Sequence, residues 1–287
     1  MNNSLKILLS VPKMATDDYV GFTFFVGCMA MMAASVFFFF SMNSVDKKWR
    51  TSLLVSGLIT FIAAVHYYYM RDYWSTNAYI SGDLIDAAKF YLNGNVVDVT
   101  VEGAVSGSAL LSEASPTFFR YVDWILTVPL MCVEFYLILK VAGATKKLMW
   151  TLIGASTVML VTGYWGEAVD SGNAAIWGLI SGLAYFYMAY LIMFGKAKSL
   201  AASAGGSVLS AHNMLCKFVL IGWAIYPIGY MIGTAGSGDV SQWYSFMGNL
   251  NIDMNVVYNI GDAINKIGFG LVVYNLAVNS SKEPATT

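Results

Sequence analysis

Charge is what this chain has least of. Only 11% of its 287 residues are charged, against 57% hydrophobic and 15% aromatic, where soluble domains carry about 25% charged residues. That deficit excludes a water-soluble domain and implies an integral membrane protein, with aromatics suited to interfacial belts and an apolar ligand pocket. The formal net charge is −1, so no basic excess offers a surface to nucleic acid. Cysteine is scarce as well. Cys28, Cys132 and Cys216 each fall in an apolar run, without metal-ligand spacing or an even framework for disulfides, and read as small buried hydrophobes. Internal repeats and low-complexity tracts are absent. Residues 1–18 hold Lys6, a short Ile7-Leu8-Leu9 patch, Pro12 and Lys13. They are short and weak for a signal peptide, and an amphipathic segment lying at the outer surface is the other reading.

What the chain does have is seven apolar runs, at about 19–42, 53–69, 118–139, 148–166, 174–194, 218–233 and 255–278. Roughly 20 residues at 1.5 Å each cross a hydrocarbon core about 30 Å thick, and a helix is the only open-ended structure that satisfies its backbone in lipid. The expected fold is all-α, with seven transmembrane helices over residues 19–279 and a tail at 280–287. The first, third and fifth connections hold Lys47, Lys48, Arg50, Lys140, Lys146, Lys147, Lys196 and Lys198, and the tail adds Lys282. The other side has only Lys6, Lys13, Arg71 and Lys89 and is rich in Asp and Glu. The basic side is cytoplasmic, so the N-terminus is expected outside and the C-terminus inside. The second connection, 75–116, is long for neighbouring helices. Within it residues 95–102 alternate apolar and polar after an Asn93-Gly94 turn signal, and read as an extracellular β-ribbon, either a lid over the outer mouth or a docking surface.

Several ionisable groups sit inside the runs. A charge at mid-membrane costs at least about 2.5 kcal/mol and so usually faces a protein interior with a task. Asp262 and Lys266 are four apart and share a helical face. In the third run Arg120, Asp123, Thr127 and Glu134 form a column. Asp123 and Glu134 are three turns apart, about 16 Å along one face. Two carboxylates stacked along the membrane normal, with a lysine at middle depth on another helix, have the layout of a proton relay. The plainer alternative is that Arg120–Asp123 and Asp262–Lys266 are structural ion pairs and Glu134 snorkels. A buried lysine is also the side chain that condenses with a carbonyl. Trp124, Tyr185, Phe186, Trp223, Tyr226 and Pro227 could line a slot for a long apolar ligand, although each alone is ordinary core.

Taken together, Arg120-Tyr121-Val122-Asp123-Trp124 through Glu134, Gly222-Trp223-Ala224-Ile225-Tyr226-Pro227, and Asp262 through Lys266 resemble the microbial (type 1) rhodopsins, and among them the proteorhodopsin group of outward proton pumps. The resemblance covers all seven runs. It implies a light-driven pump, a transporter rather than an enzyme, in the cell (inner) membrane of a prokaryote, with all-trans retinal joined to Lys266 as a protonated Schiff base. By the same resemblance Asp123 is the primary proton acceptor, Asp262 the second counterion, and Arg120 the gate toward the outer release path. Glu134 is the cytoplasmic donor, protonated at rest, and His66 lies beside the acceptor carboxylate, a place where a lone histidine could otherwise serve as a helix-to-helix bond. Pro227 supplies a kink for the access switch. Met131 stands where this group tunes its colour, and an apolar residue there implies green absorption. Gly178 stands where carotenoid-binding relatives open a window onto the retinal ring, so an antenna carotenoid is one expectation and close helix packing the other. Small residues on helix faces point to a homo-oligomer. Asp123, Thr127 and Glu134 depart from the pattern of sodium pumps, and Asp123 from that of chloride pumps. A photosensor signalling through a partner is the alternative, against which Glu134 counts.

Overall fold

The computed structural model describes residues 18–81, 89–92, 95–98, 115–250 and 253–280. Among these, seven helical spans are long and apolar enough to cross a membrane: Tyr19–Ser44, Lys47–Ser75, Thr117–Ala142, Lys146–Val169, Ser171–Ala204, Gly206–Gly233 and Met254–Ser280. They are apolar on nearly every side, as helices facing lipid must be. Phe40 is 77% exposed and Leu183 62% exposed, surfaces that hydrocarbon covers in the bilayer.

The sixth span starts at Gly206, well before the run that hydropathy picks out at 218. Its early turns bury Val208, Ala211, His212, Leu215 and Cys216, the spacing of one helical face. Ser207, Ser210, Asn213 and Lys217 interrupt these residues in sequence, so no continuous apolar run announces the span.

Each span packs on its neighbours in sequence, and the seventh lies against the first, second and sixth, which closes the bundle. Asp18 ties the first span to the second. Its carboxylate caps the helix by accepting from the Gly21 N–H at 2.7 Å and accepts from the Trp74 indole at 3.1 Å. Gly143, at φ 86°, ends the turn that follows the third span. Between the fourth and fifth spans, bonds from the Trp177 indole and the Asn173 amide hold the Asp170 carboxyl below the usual carboxylate range.

Outside the spans, β1 (Lys89–Leu92) and β2 (Asn95–Asp98) pair antiparallel, with Lys89 opposite Asp98 and Leu92 opposite Asn95. The ribbon expected over 95–102 therefore takes its partner strand from the residues before Asn93-Gly94. Its second half, 99–102, lies outside the described residues, as do 1–17 and 281–287.

Candidate functional site

At the centre of the bundle the seventh span brings Lys266 against two carboxylates. Lys266 Nζ donates to Asp123 Oδ2 at 2.6 Å and stands 3.1 Å from Asp262 Oδ1. Both aspartates are fully buried and the lysine is 2% exposed. The two acids are bonded very differently. Asp262 accepts from the Tyr67 hydroxyl at 2.8 Å, the Tyr226 hydroxyl at 2.8 Å and the Trp124 indole at 3.0 Å. Asp123 receives only the lysine, and its Oδ1 is buried without a hydrogen-bond partner. Three neutral donors thus bond one carboxylate, while the lysine is the side chain that bonds the other.

On one side of this cluster lies Arg120, 1% exposed. Its Nη2 donates to Asn259 at 2.9 Å and Asn255 at 3.1 Å, and its Nη1 to the Tyr67 hydroxyl at 3.3 Å. The guanidinium also stacks on Tyr258, 5.1 Å from the ring centroid, and on Phe24, at 5.4 Å, so cation–π attraction offsets part of its desolvation. Beyond it Glu167 accepts from the Tyr121 hydroxyl at 2.9 Å and the Tyr258 hydroxyl at 3.4 Å. On the opposite side, three turns along the third span, Glu134 is fully buried among apolar side chains. Ser56 donates to its Oε1 at 2.7 Å, while Oε2 has no partner.

A cavity of about 390 Å³ opens from Lys266 among the third, fourth, fifth and sixth spans. It falls in the range of pockets that enclose a small organic ligand. Trp124, Met131, Tyr185, Trp223, Tyr226, Pro227 and Gly178 all line it. Its walls are apolar except at the lysine end. An amine there, facing a carboxylate with a spare oxygen, is what a covalently held, elongated and apolar carbonyl compound needs.

The description of bacteriorhodopsin-like proteins matches residues 18–280 of this chain. The chain belongs to that family, the microbial rhodopsins. It is 40% identical over 268 residues to the green-light absorbing proteorhodopsin of gamma-proteobacterium EBAC31A08, covering 92% of this chain and 89% of that one. Among solved structures it is similar to the blue light-absorbing proteorhodopsin from Med12, with a TM-score of 0.63 and 35% identity over 92% of this chain and all of the other. It is also similar to xanthorhodopsin, described as a light-driven ion pump with dual chromophore, with a TM-score of 0.64 and 28% identity over 93% of this chain and 95% of the other. The rhodopsin is a multi-pass protein of a prokaryotic cell membrane.

Three of the expected site residues have particular partners. Arg120 does not pair with Asp123; its carboxylate neighbour is Asp262, at 4.0 Å. Thr127 points its hydroxyl at the Asp123 backbone carbonyl, 2.9 Å away, and not at the carboxylate, the back-bond a helical threonine finds locally. His66 places Nδ1 on the carbonyl of Ile62 in its own helix, at 2.8 Å, and makes no direct bond to Asp123. Gly178 faces the Tyr230 ring, where an added Cβ would lie 2.8 Å from Cε1. In this rhodopsin that glycine makes room for the tyrosine.

Tyr67, Ser56, Asn255, Asn259 and Glu167 were not among the expected site residues. A signal existed for two of them. Asn255, Asn259, Asp262 and Lys266 follow one helical face at spacings of four, three and four, so the partners of Arg120 stand in line with the lysine.

Proposed function

We propose that this rhodopsin, a retinal-based light-driven pump by its family, moves protons outward across the membrane with Lys266, Asp123 and Glu134 as the relay. When bound at Lys266 Nζ, all-trans retinal supplies a light-driven change in the direction and proton affinity of that nitrogen. The residues do the rest. Asp123 Oδ2, at 2.6 Å, receives the proton held at Lys266 Nζ. Asp262, its lone pairs engaged by Tyr67, Tyr226 and Trp124, keeps negative charge beside the nitrogen without taking the proton. The 2.6 Å approach of Lys266 Nζ to Asp123, beside an Asp262 already bonded by three neutral donors, is the observation that carries the reading. Arg120, held by two asparagines and three rings, separates the cluster from the outer carboxyl of Glu167. Glu134 refills the nitrogen from the other side, where a dry apolar segment keeps the two paths apart. The basic ends of the spans face the cytoplasm, which sets the direction outward.

The test is illumination of an unbuffered suspension of expressing cells supplied with retinal. External acidification that a protonophore abolishes is the expected result. Alkalinisation, or no change in coloured cells, overturns it, and a photocycle of seconds with no acid movement would favour the sensory alternative. Glu134→Gln should leave the first transfer intact and slow the refilling step about 100-fold, the lower range for losing a positioned acid. Flash spectroscopy at fixed pH reads both steps. An antenna carotenoid would have to lie along Leu179 and Leu183 on the outer wall of the cavity and pass the Tyr230 ring; energy transfer from added carotenoid, measured by excitation spectrum, checks that binding. Assembly with copies of itself is checked by mass measurement in nanodiscs.

A further inference from the structure

The sixth span is broken where it passes the cavity. In an unbroken α-helix the Trp223 N–H would bond the Val219 carbonyl, and the Tyr226 N–H that of Gly222. Instead Trp223 donates to Phe218 at 2.9 Å, closing a π turn over Phe218–Gly222, and Tyr226 donates to Trp223 at 3.1 Å. Pro227 has no N–H to offer Trp223. The carbonyls of Val219 and Gly222 are left outside the ladder, and a buried carbonyl needs a donor. Neighbouring spans supply both. The Tyr185 hydroxyl donates to Val219 at 2.7 Å, and Asn265 Nδ2 donates to Gly222 at 2.9 Å. Asn265 is fully buried, its Oδ1 has no partner, and it directly precedes Lys266. A Cβ at position 222 would run into Asn265 Oδ1, so any larger residue there would have to displace the amide from its bond.

We propose that Asn265 is a positioning residue whose bond to Gly222 latches the backbone next to Lys266 to the kink of the sixth span. A shift at Lys266 is passed through this latch to the segment that must move for access to change sides, and the same bond reseats the segment afterwards. The inference rests on the reading of Lys266 as the retinal-bearing residue. π turns and proline kinks are where a helix bends, and a side-chain amide on a freed carbonyl is a contact that can break and re-form without disturbing the rest of the ladder.

Two measurements test it. In the apoprotein, Gly222→Ala should lower the unfolding midpoint in SDS by more in the wild type than in an Asn265→Ala background, the coupling expected of touching groups. Equal damage with and without Asn265→Ala overturns the latch. In retinal-loaded protein, Asn265→Ala and Asn265→Leu should both slow the return to the dark state about tenfold, the worth of one buried hydrogen bond. The proton transfer from Lys266 to Asp123 should keep its rate within about twofold. Leucine keeps the fork of asparagine at Cγ but has no donor, so a role of shape alone would spare it. Wild-type recovery in both variants, or in the leucine variant alone, refutes the proposal. If the wild type takes no colour with retinal, the reading of Lys266 falls, while the apoprotein measurement still decides whether the latch exists.

Discussion

Lys266→Ala forms no visible band with added retinal and moves no protons in the light. The expected loss is complete, because no other lysine faces the cavity: among the residues lining it, Lys266 is the sole amine. The substitution also removes the cation between Asp123 and Asp262. Breaking a buried ion pair from one side costs about 3–5 kcal/mol, so the variant should also unfold earlier than the wild type. A neighbouring carboxylate could protonate and relieve part of that cost. The two outcomes separate by titration with free retinal in nanodiscs, where absent colour in a folded protein locates the attachment. A coloured Lys266→Ala protein would end the assignment.

Asp123→Asn comes second in size. An amide cannot take the proton from Lys266 Nζ, and Asp262 is not a substitute, since Tyr67, Tyr226 and Trp124 already fill its oxygens. Pumping should fall at least about 100-fold while the cavity still binds retinal. The band should shift to longer wavelength, because one of the two negative charges beside the nitrogen is gone. Light-driven acidification and an absorption spectrum of the same sample give both answers. Asp262→Asn is the informative comparison. It leaves the acceptor in place but turns one carboxylate oxygen into an amide nitrogen among the Tyr67, Tyr226 and Trp124 donors and removes the negative charge 4.0 Å from Arg120, so its damage should be to stability and colour before it is to transfer. Undiminished pumping by Asp123→Asn would move the relay elsewhere.

The architecture and the ion cluster were legible in the sequence for one reason. Ionisable residues inside apolar runs stand out, and helical spacing fixes which of them share a face. Asp123, Glu134, Asp262 and Lys266 are visible in that way, and the ring-rich segments around Trp124 and Trp223 mark the cavity. Hydrogen-bond partners are less visible. Tyr67 and Ser56 are ordinary residues for a membrane helix, and only the packing of the second span against the third brings Ser56 to Glu134. Which acid Arg120 approaches could not be read from spacing, because Asp123 is near in sequence while Asp262 is near in space. Thr127 gives its hydroxyl to a local backbone bond, which helical spacing alone does not reveal. The broken sixth span was half legible. Pro227 announces a kink, but the π turn before it depends on donors from Tyr185 and Asn265 that no local rule supplies.

The distance between Asp123 and Glu134 along the third span has a consequence for the living cell. Three turns, roughly 16 Å, is about half the hydrocarbon thickness, so a proton climbing that gap crosses about half of the membrane voltage. Each elementary charge costs about 2.3 kcal/mol per 100 mV, which puts about 1.2 kcal/mol per 100 mV on the refilling step alone. If all of it falls on the barrier, that step slows nearly tenfold for each such increment. On the proposed relay, a cell already well energised would therefore throttle its pumping at Glu134, and a starved one would run it freely.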